Sequence, residues 1–262
     1  MNQVAIVIPA RYGSTRFEGK PLVRICGRPM IQLVYEKATM VKRADIVVVA
    51  TDDERILETV KGFHGNAVMT SPFHKTGSDR IIEVAKDLDC RWIINLQGDE
   101  PMIEPEVIDL LAQKMLEAPE ERGWSLMRPL SEISEFTNPN VVKVVTDHMD
   151  YALYFSRAPI PCPKTGISQI PNSSKTCDKN LISTENVWIH VGIYGYRNDF
   201  LLSIPDLKPS LLEKIEGLEQ LRILANGYKI KMIRTKYRSI GVDTPEDLRL
   251  VERLMRQKQE ST

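Results

Sequence analysis

The sequence predicts an α/β protein in which a mostly parallel central sheet is flanked by helices, together with a smaller lid or dimerisation subdomain. Short β-branched runs alternate with amphipathic stretches through the first half of the chain, and a long polar stretch interrupts the second half. With 262 residues, of which 42% are hydrophobic, the chain is long enough to bury one large core or two unequal ones. These observations indicate a globular protein of ordinary composition.

Four continuously apolar runs in the first half have the composition of strands that are covered on both faces. They are residues 4–8, 46–50, 67–70 and 92–96. Segments with helical spacing of apolar residues lie between them, at 29–42, 53–63 and 79–88. This alternation predicts parallel strands joined by right-handed crossovers. Because ligands of such sheets bind beyond the carboxyl ends of the strands, we expect the loops after the four runs to form one crevice.

The second half of the chain is less regular. Residues 141–145 and 187–197 are predicted strands, and residues 159–186 between them are rich in Pro, Ser, Lys and Asn. A connection of this length is usually functional, disordered or engaged with a partner. Helical, strand and helical patterns then follow at 211–227, 229–235 and 243–257. We therefore predict a core over residues 1–129, the subdomain over 130–196 and a return to the core over 197–262.

The composition excludes several classes of function. Thirty-five basic residues balance thirty-five acidic ones, so no global positive field is available to hold nucleic acid or an anionic membrane. The four cysteines lie too far apart for a CxxC motif or a small zinc module, which favours a reducing compartment. The sequence also has no signal-peptide pattern and no apolar run of membrane-spanning length. We expect a cytoplasmic protein without nucleic-acid or membrane partners.

The loop after the first predicted strand, ARYGSTRFEGKPL at 10–22, is a candidate phosphate-binding loop. It is not a P-loop, because its glycines are one residue too far apart and Pro21 stands where the magnesium-binding hydroxyl belongs. Its glycines and small hydroxyls nevertheless accompany three cations, Arg11, Arg16 and Lys20. Backbone N–H groups beside cationic side chains suit a polyphosphate. The alternative is a basic surface turn.

Two acidic residues are candidate metal ligands. Asp99 follows a predicted strand within NLQGDEPMI, and Asp243 precedes the last predicted helix within GVDTPEDL. Mg²⁺ prefers one or two carboxylates together with phosphate oxygens and water, so the two residues would form a magnesium site if they meet in space. The alternatives are a turn or N-cap role for Asp99 and an N-cap role for Asp243.

Two further motifs carry polar groups at positions suited to a ligand. In HKTGSDR, Gly77, Ser78 and Arg80 can present donors and acceptors to a base edge, although Ser78 is an equally natural helix N-cap. In HVGIYGYR, alternation places His190 and Tyr194 on one face of a strand, where they suit a sugar site. EGLEQLR, at 216–222, likewise places polar side chains among apolar ones. The alternatives are ordinary strand residues in HVGIYGYR and a solvent-facing helix stripe in EGLEQLR.

These motifs, taken in order along the chain, resemble one enzyme family. IPARYGSTRFEGKPL, VATDD, NLQGDEP, NPNVVKVV, YALYFSRAPIP, HVGIYGYR, LEKIEGLEQLR and GVDTPEDL are similar to the corresponding segments of the 3-deoxy-manno-octulosonate (KDO) cytidylyltransferases. The resemblance implies a Rossmann-like nucleotidyltransferase fold with a CTP-binding core. It also implies a requirement for Mg²⁺, a homodimer, and activation of KDO by CTP for lipopolysaccharide assembly.

The resemblance assigns roles residue by residue. It implies that the phosphates of CTP are bound by Arg11, Ser14, Arg16 and Lys20, and the rest of the nucleotide by Ser78, Arg80 and Gln97. It implies the metal ligands Asp99 and Asp243, the sugar-binding residues His190, Tyr194, Glu219 and Gln220, and a catalytic group made of Lys20, Arg11 and Asp99. In the mechanism that the resemblance implies, the sugar's anomeric hydroxyl attacks the α-phosphate of CTP and displaces pyrophosphate.

Some positions depart from the family pattern. Phe17 and Glu18 replace the usual Leu-Pro of the first loop, and residues 161–188 do not follow the usual segment before the sugar site. The choice between Glu216 and Glu219 at the sugar stays open. Three alternatives follow: a modified octulosonate such as 8-amino-KDO as substrate, another sugar acid such as a nonulosonate, or a catalytically silent nucleotide-binding regulator.

Overall fold

The computed structural model describes residues 2–13, 17–74, 76–162, 164 and 186–260. Its strands are β1 (Asn2–Ala10), β2 (Arg24–Ile25), β3 (Arg28–Pro29), β4 (Ile46–Thr51), β5 (Ala67–Met69), β6 (Cys90–Asn95), β7 (Gly123–Pro129), β8 (Lys143–Thr146), β9 (Ala152–Ser156), β10 (Trp188–Arg197) and β11 (Lys231–Arg234). Its α-helices are α1 (Met30–Thr39), α2 (Glu54–Gly62), α3 (Gly77–Ala85), α4 (Pro105–Glu117), α5 (Ile133–Thr137), α6 (Asn198–Ser203), α7 (Leu211–Glu216), α8 (Gln220–Ala225) and α9 (Pro245–Glu260).

The contacts within the chain divide it into two compact units. The first unit comprises Met1–Glu120, Ile193–Pro205 and Ser239–Thr262, and the second comprises Glu121–Gly192 and Asp206–Arg238. The predicted division instead assigned all of residues 197–262 to the core. The difference arises because β11 pairs with β7 of the second unit, which takes residues 206–238 out of the core.

The first unit is built on the parallel sheet that the sequence predicts. β1 pairs in parallel with β4 and β6, β4 pairs in parallel with β5, and the last part of β10 adds an antiparallel strand beside β6. Val4, Ile6 and Ile8 of β1 are fully buried, as expected for a strand covered on both faces. The carboxyl ends of β1, β4, β5 and β6 therefore lie at one edge of the sheet, and each is followed by a polar loop.

The second unit contains both parallel and antiparallel strand pairs. β7 is the neighbour of β10 and pairs in parallel with β11, while β8 pairs antiparallel with β9 and β10. Phe136 and Val187, both fully buried, form a core with Leu130 and Ile189. Most of the polar stretch predicted at 159–186 lies outside the described residues. None of the helices in the described ranges is long and apolar enough to cross a membrane.

Candidate active site

The loop after β1 ends in a turn that fixes the direction of Lys20. The backbone N–H of Gly19 donates to the carbonyl of Tyr12 at 2.9 Å, and Gly19 adopts a left-handed conformation with φ +67°. A short 3₁₀ turn, Lys20–Leu22, follows and contains the buried Pro21. Proline suits the first turn of a helix because its φ is already fixed near the helical value. Arg11 is exposed, whereas Ser14 and Arg16 lie outside the described residues.

Lys20 joins the two predicted metal ligands. Its Nζ lies 2.6 Å from Oδ2 of Asp99 and 2.9 Å from Oδ1 of Asp243. The side chains of Lys20, Asp99 and Asp243 are 16%, 31% and 56% exposed, respectively. Burial lowers the pKa of Lys20, but the two carboxylates outweigh it and raise the pKa above its ordinary value. Lys20 is therefore charged at neutral pH, and two carboxylates converge on that charge.

The backbone brings Asp99 and Asp243 together. The carbonyl of Asp99 accepts the N–H of Val242 at 2.9 Å, and the fully buried Val242 packs in an apolar cluster with Ile25, Met30 and Val251. Asp243 therefore follows directly from an anchored residue. Helix α9 is capped by other groups, because the Thr244 hydroxyl accepts the N–H of Asp247 at 3.2 Å. In return the Asp247 carboxylate accepts the N–H of Thr244 at 2.9 Å.

These contacts bear on the alternatives that the sequence left open. The N-cap role considered for Asp243 is filled by Thr244, so the Asp243 carboxylate contacts Lys20 instead. Gly98 allows a close approach to the Pro9 carbonyl next to Asp99, since a Cβ built there would lie 3.0 Å from that oxygen. Among the described residues, no group of three or more His, Cys, Asp or Glu side chains is placed to hold a metal. Two carboxylates that already surround one positive charge nevertheless suit Mg²⁺, which completes its shell with phosphate oxygens and water.

The residues predicted to bind the nucleotide outside its phosphates follow two strands. Ser78 and Arg80 lie in α3, after β5, and Gln97 follows β6. Thr76, not Ser78, is the N-cap of α3, and it forms a capping box with Asp79. Ser78 is therefore the second residue of the helix, and the N-cap alternative for it was wrong. The Arg80 side chain is 3% exposed; it donates to Asp52 at 2.7 Å and also to the hydroxyl of Thr70.

Gln97 and Asp52 complete the polar groups at this edge of the first unit. Nε2 of Gln97 donates to Oδ1 of Asn95 at 3.0 Å, which orients the amide beside the end of β6. Asp52 was not singled out by sequence reasoning, although it lies in the VATDD motif, directly after β4. Its carboxylate holds Arg80 and so connects the loop after β4 with α3.

Strand β10 carries His190 and Tyr194 on its partly exposed face, as predicted. His190, Gly192 and Tyr194 are half-buried, whereas the residues between them are buried. Nε2 of His190 lies 2.8 Å from the hydroxyl of Ser125. The centroid of the His190 ring lies 4.9 Å from that of Phe155, and the two rings pack edge to face. Burial lowers the pKa of His190 to about 3, so the imidazole is neutral at physiological pH. In this state it acts as a hydrogen-bonding group without net charge.

The turn between α7 and α8 holds the remaining predicted sugar residues. The Glu216 carboxylate is engaged by neighbouring residues of the chain. It accepts hydrogen bonds from the Ser156 hydroxyl at 2.6 Å and from the N–H of Arg157 at 2.8 Å. Glu219 is exposed. Gln220 is 4% exposed, and its Nε2 has no hydrogen-bond partner among the described residues. A buried amide without a partner is costly, and such a donor suits a polar ligand.

Comparisons with known proteins identify the family of this chain. A family model described as Cytidylyltransferase matches residues 5–231. A 3-deoxy-manno-octulosonate cytidylyltransferase of Geotalea uraniireducens is 48% identical over 253 residues, covering 96% of this chain and 99% of the relative. The corresponding protein of Syntrophotalea carbinolica is 48% identical over 255 residues, covering 97% of this chain and 98% of the relative.

A solved structure is similar over nearly the same length. It is a CMP:2-keto-3-deoxy-manno-octonic acid synthetase complexed with CTP, with a TM-score of 0.87 and 42% sequence identity. The match covers 98% of this chain and 99% of that one. The fold predicted from the motifs is therefore confirmed. This chain belongs to the 3-deoxy-manno-octulosonate cytidylyltransferase family of nucleotidyltransferases.

Proposed function

We propose that this protein transfers the cytidylyl group of CTP to 3-deoxy-D-manno-octulosonate (KDO), releasing pyrophosphate and giving the CMP-sugar for lipopolysaccharide synthesis. The observation that carries the proposal is the convergence of Lys20, Asp99 and Asp243 beside the phosphate-binding loop. The family to which the chain belongs supports the same reaction. The sugar's anomeric hydroxyl attacks the α-phosphorus and forms the new C–O–P linkage, and the hydroxyl proton passes to solvent. The bond from the α-phosphorus to the oxygen that bridges the α- and β-phosphates breaks, and that oxygen leaves with pyrophosphate.

The residues of the first unit supply positive charge and position in this reaction. Lys20 and Arg11 neutralise the negative charge that develops on the phosphates, which is the largest contribution a protein makes to such a transfer. Asp99 and Asp243 would hold Mg²⁺, which when bound polarises a phosphoryl oxygen and lowers the pKa of the attacking hydroxyl. Gln97, Ser78 and Arg80 are proposed to orient the nucleotide, together with Ser14 and Arg16 of the loop.

The residues proposed for the sugar act by hydrogen bonding. His190, with a pKa of about 3, is neutral and takes no part as a general acid near pH 7. Gln220 offers an unpartnered amide donor to the sugar acid. Tyr194 and Glu219 complete the proposed set, and Glu216 is left out because Ser156 and Arg157 already engage its carboxylate.

Pyrophosphate release with separate sugars tests the proposal. Purified protein is incubated with CTP, Mg²⁺ and one of KDO, 8-amino-KDO or sialic acid, and pyrophosphate is measured. We expect turnover with an octulosonate, and the ratio of kcat/KM for KDO and 8-amino-KDO decides between the two. Turnover with sialic acid alone would favour the nonulosonate alternative, and no turnover with any sugar would favour the regulatory one.

Asp99→Asn is the matched variant, because it keeps the size of the side chain while removing its charge. We expect turnover to fall by at least about a hundredfold, as for the loss of a central electrostatic group, with an unchanged circular dichroism spectrum. Unchanged activity would remove Asp99 from the metal site. The homodimer and the cytoplasmic location expected from the sequence also remain proposals for this enzyme.

A further inference from the structure

A side-chain stack outside the proposed catalytic group holds the first loop. The guanidinium carbon of Arg55 lies 3.3 Å from the centroid of the Tyr12 ring. Arg55 belongs to the first turn of α2, and its Nε and Nη2 donate to the two carboxylate oxygens of Asp53 at 2.9 and 2.7 Å. Asp53 also accepts the backbone N–H of Arg55 at 3.0 Å as the N-cap of the helix. The start of α2 therefore fixes the plane on which the ring lies.

The other contact of the Tyr12 ring is the far end of the same loop. A Cβ built on Gly19 would lie 3.2 Å from Cε2 and Cζ of Tyr12, so the ring packs against the glycine backbone. The carbonyl of Tyr12 also accepts the N–H of Gly19 at 2.9 Å. Tyr12 thus contacts Gly19 on one side and Arg55 on the other, and so attaches the turn before Lys20 to α2. We call Tyr12, Asp53 and Arg55 the loop clamp.

The charges around Arg55 favour the same arrangement. The hydrogen bonds to Asp53 raise the pKa of Arg55 against the opposing effect of desolvation, and the negative charges of Asp53 and Glu18 raise it further. Glu18, the acidic residue that departs from the family pattern, therefore interacts electrostatically with the clamp. This gives its negative charge a partner within the loop's own support.

We propose that Tyr12 and Arg55 are positioning residues that hold the turn at Gly19 and Lys20 in place for the triphosphate of CTP. This inference rests on the proposed function. A turn that is already held in place loses less conformational freedom when it binds a ligand, so the affinity is higher. Asp99 and Asp243, not the clamp, contact Nζ of Lys20. Loss of the clamp is therefore expected to weaken CTP binding more than it slows the chemical step.

Steady-state kinetics of three variants test the inference. In Arg55→Ala and Tyr12→Ala we expect the KM for CTP to rise about threefold to tenfold, the range that one cation–π stack with its supporting contacts provides. The KM for the sugar and kcat are expected to stay within about twofold, because those contacts are left intact. Tyr12→Phe keeps the ring on Arg55 and Gly19, so it is expected to behave like the wild type.

The chain offers a matched control in the Arg197 and Asp199 pair. Nε and Nη2 of Arg197 donate to Asp199 at 2.6 and 2.9 Å, as Arg55 does to Asp53. Arg197 pairs with Trp92 near the start of β6, at the opposite edge of the sheet from the loop. Arg197→Ala is therefore expected to leave the KM for CTP unchanged.

Two results would overturn the inference. One is an unchanged KM for CTP in Arg55→Ala, and the other is a loss of kcat and melting temperature alone, which indicates a purely structural role. If the wild type releases no pyrophosphate with any sugar, the proposed function fails separately. Calorimetric titration with CTP then tests the positioning role of the clamp. An equal Kd for CTP in wild type and Arg55→Ala contradicts this role, and a Kd at least threefold higher in Arg55→Ala supports it.

Discussion

At the scale of single residues, the ammonium group of Lys20 stands where a cation bound by both carboxylates would stand. Nζ contacts Asp99 and Asp243 at 2.6 and 2.9 Å, so a divalent ion on the same oxygens would lie within a few ångström of a like charge. Such repulsion amounts to about 1 kcal/mol per pair of unit charges at 4 Å even in water. Lys20 and the proposed metal therefore compete for the two carboxylates until the phosphates of CTP attract the lysine.

We predict that Lys20→Met binds Mn²⁺ more tightly than the wild type in the absence of nucleotide, by about tenfold, since two unit charges on the metal repel the ammonium. Titration followed by the electron paramagnetic resonance signal of free Mn²⁺ measures this affinity. Turnover is expected to fall in the same variant, because Lys20 is also proposed to neutralise the phosphates. The double variant Lys20→Met, Asp99→Asn serves as control and should lose the gain. Equal or weaker Mn²⁺ binding in Lys20→Met would contradict the competition.

Residue identity was more predictable than residue partnership. Asp99 was singled out because it follows an apolar strand, and Asp243 because it precedes the last helix. Their common contact with Lys20 depends on the packing of Val242, far along the chain from Asp99. The pair of Arg80 and Asp52 was missed, because its members lie 28 residues apart and no spacing rule connects them. Local sequence identifies polar groups after strands, whereas their pairing is decided by tertiary structure.

At the scale of elements, strand β8 carries a lysine that is fully buried. Nζ of Lys143 donates to the carbonyls of Asn138, Val141 and Arg157 at 2.9, 2.6 and 2.7 Å. Burial lowers its pKa from 10.5 to about 8, although the charge of Glu216 opposes this change and that of Arg157 adds to it. The strand is thus attached through one side chain to the loop before it and to the end of β9.

We predict that this lysine makes the protein more stable as the pH rises through the interval between the two pKa values. From about 8 to 10.5 the unfolded chain still binds the proton that the folded chain has released, so the free energy of unfolding increases with pH. Between about pH 7.5 and about pH 9.5 the increase attributable to Lys143 is about 2 kcal/mol. Urea denaturation of wild type and Lys143→Met at both pH values measures it.

The comparison uses the difference between the two proteins, which cancels the titration of other groups. Lys143→Met should show about 2 kcal/mol less increase than the wild type. Lys61→Met, on the exposed side of α2, is the control and should follow the wild type. Parallel pH profiles for wild type and Lys143→Met would contradict the lowered pKa.

Most elements with a regular pattern were predicted, but helix α4 was missed although its buried residues recur at helical spacing. The parallel strands of the first unit are continuous apolar runs, and all four are present in the structure. Strand β7, in contrast, was missed because GWSLMRP contains glycine, arginine and proline, although all of it but the proline is buried. Helix α3 begins at Gly77, two residues before the predicted start, because the capping box of Thr76 and Asp79 starts it earlier.

At the scale of the whole molecule, the return of the chain to the second unit was not predictable from local pattern. The sequence at 229–235 correctly predicts a strand, but which neighbour this strand selects depends on contacts distant in sequence. It pairs with β7, which was itself not predicted, so residues 206–238 join the second unit instead of the core.

The second unit also carries exposed apolar side chains that suit the proposed homodimer. Leu211, Leu212 and Ile215 of α7 are 70%, 44% and 71% exposed, and Leu153 of β9 is 61% exposed. Covering such a side chain stabilises an association by about 1.5–3 kcal/mol, and a charge placed there opposes it.

We therefore predict that Ile215→Lys shifts the protein from dimer to monomer in light scattering after size exclusion. Leu250→Lys on α9 of the first unit, where the leucine is 40% exposed, is the control and should remain dimeric. A wild-type protein that is monomeric at micromolar concentration would contradict the dimer, and a dimeric Ile215→Lys would move its interface away from α7.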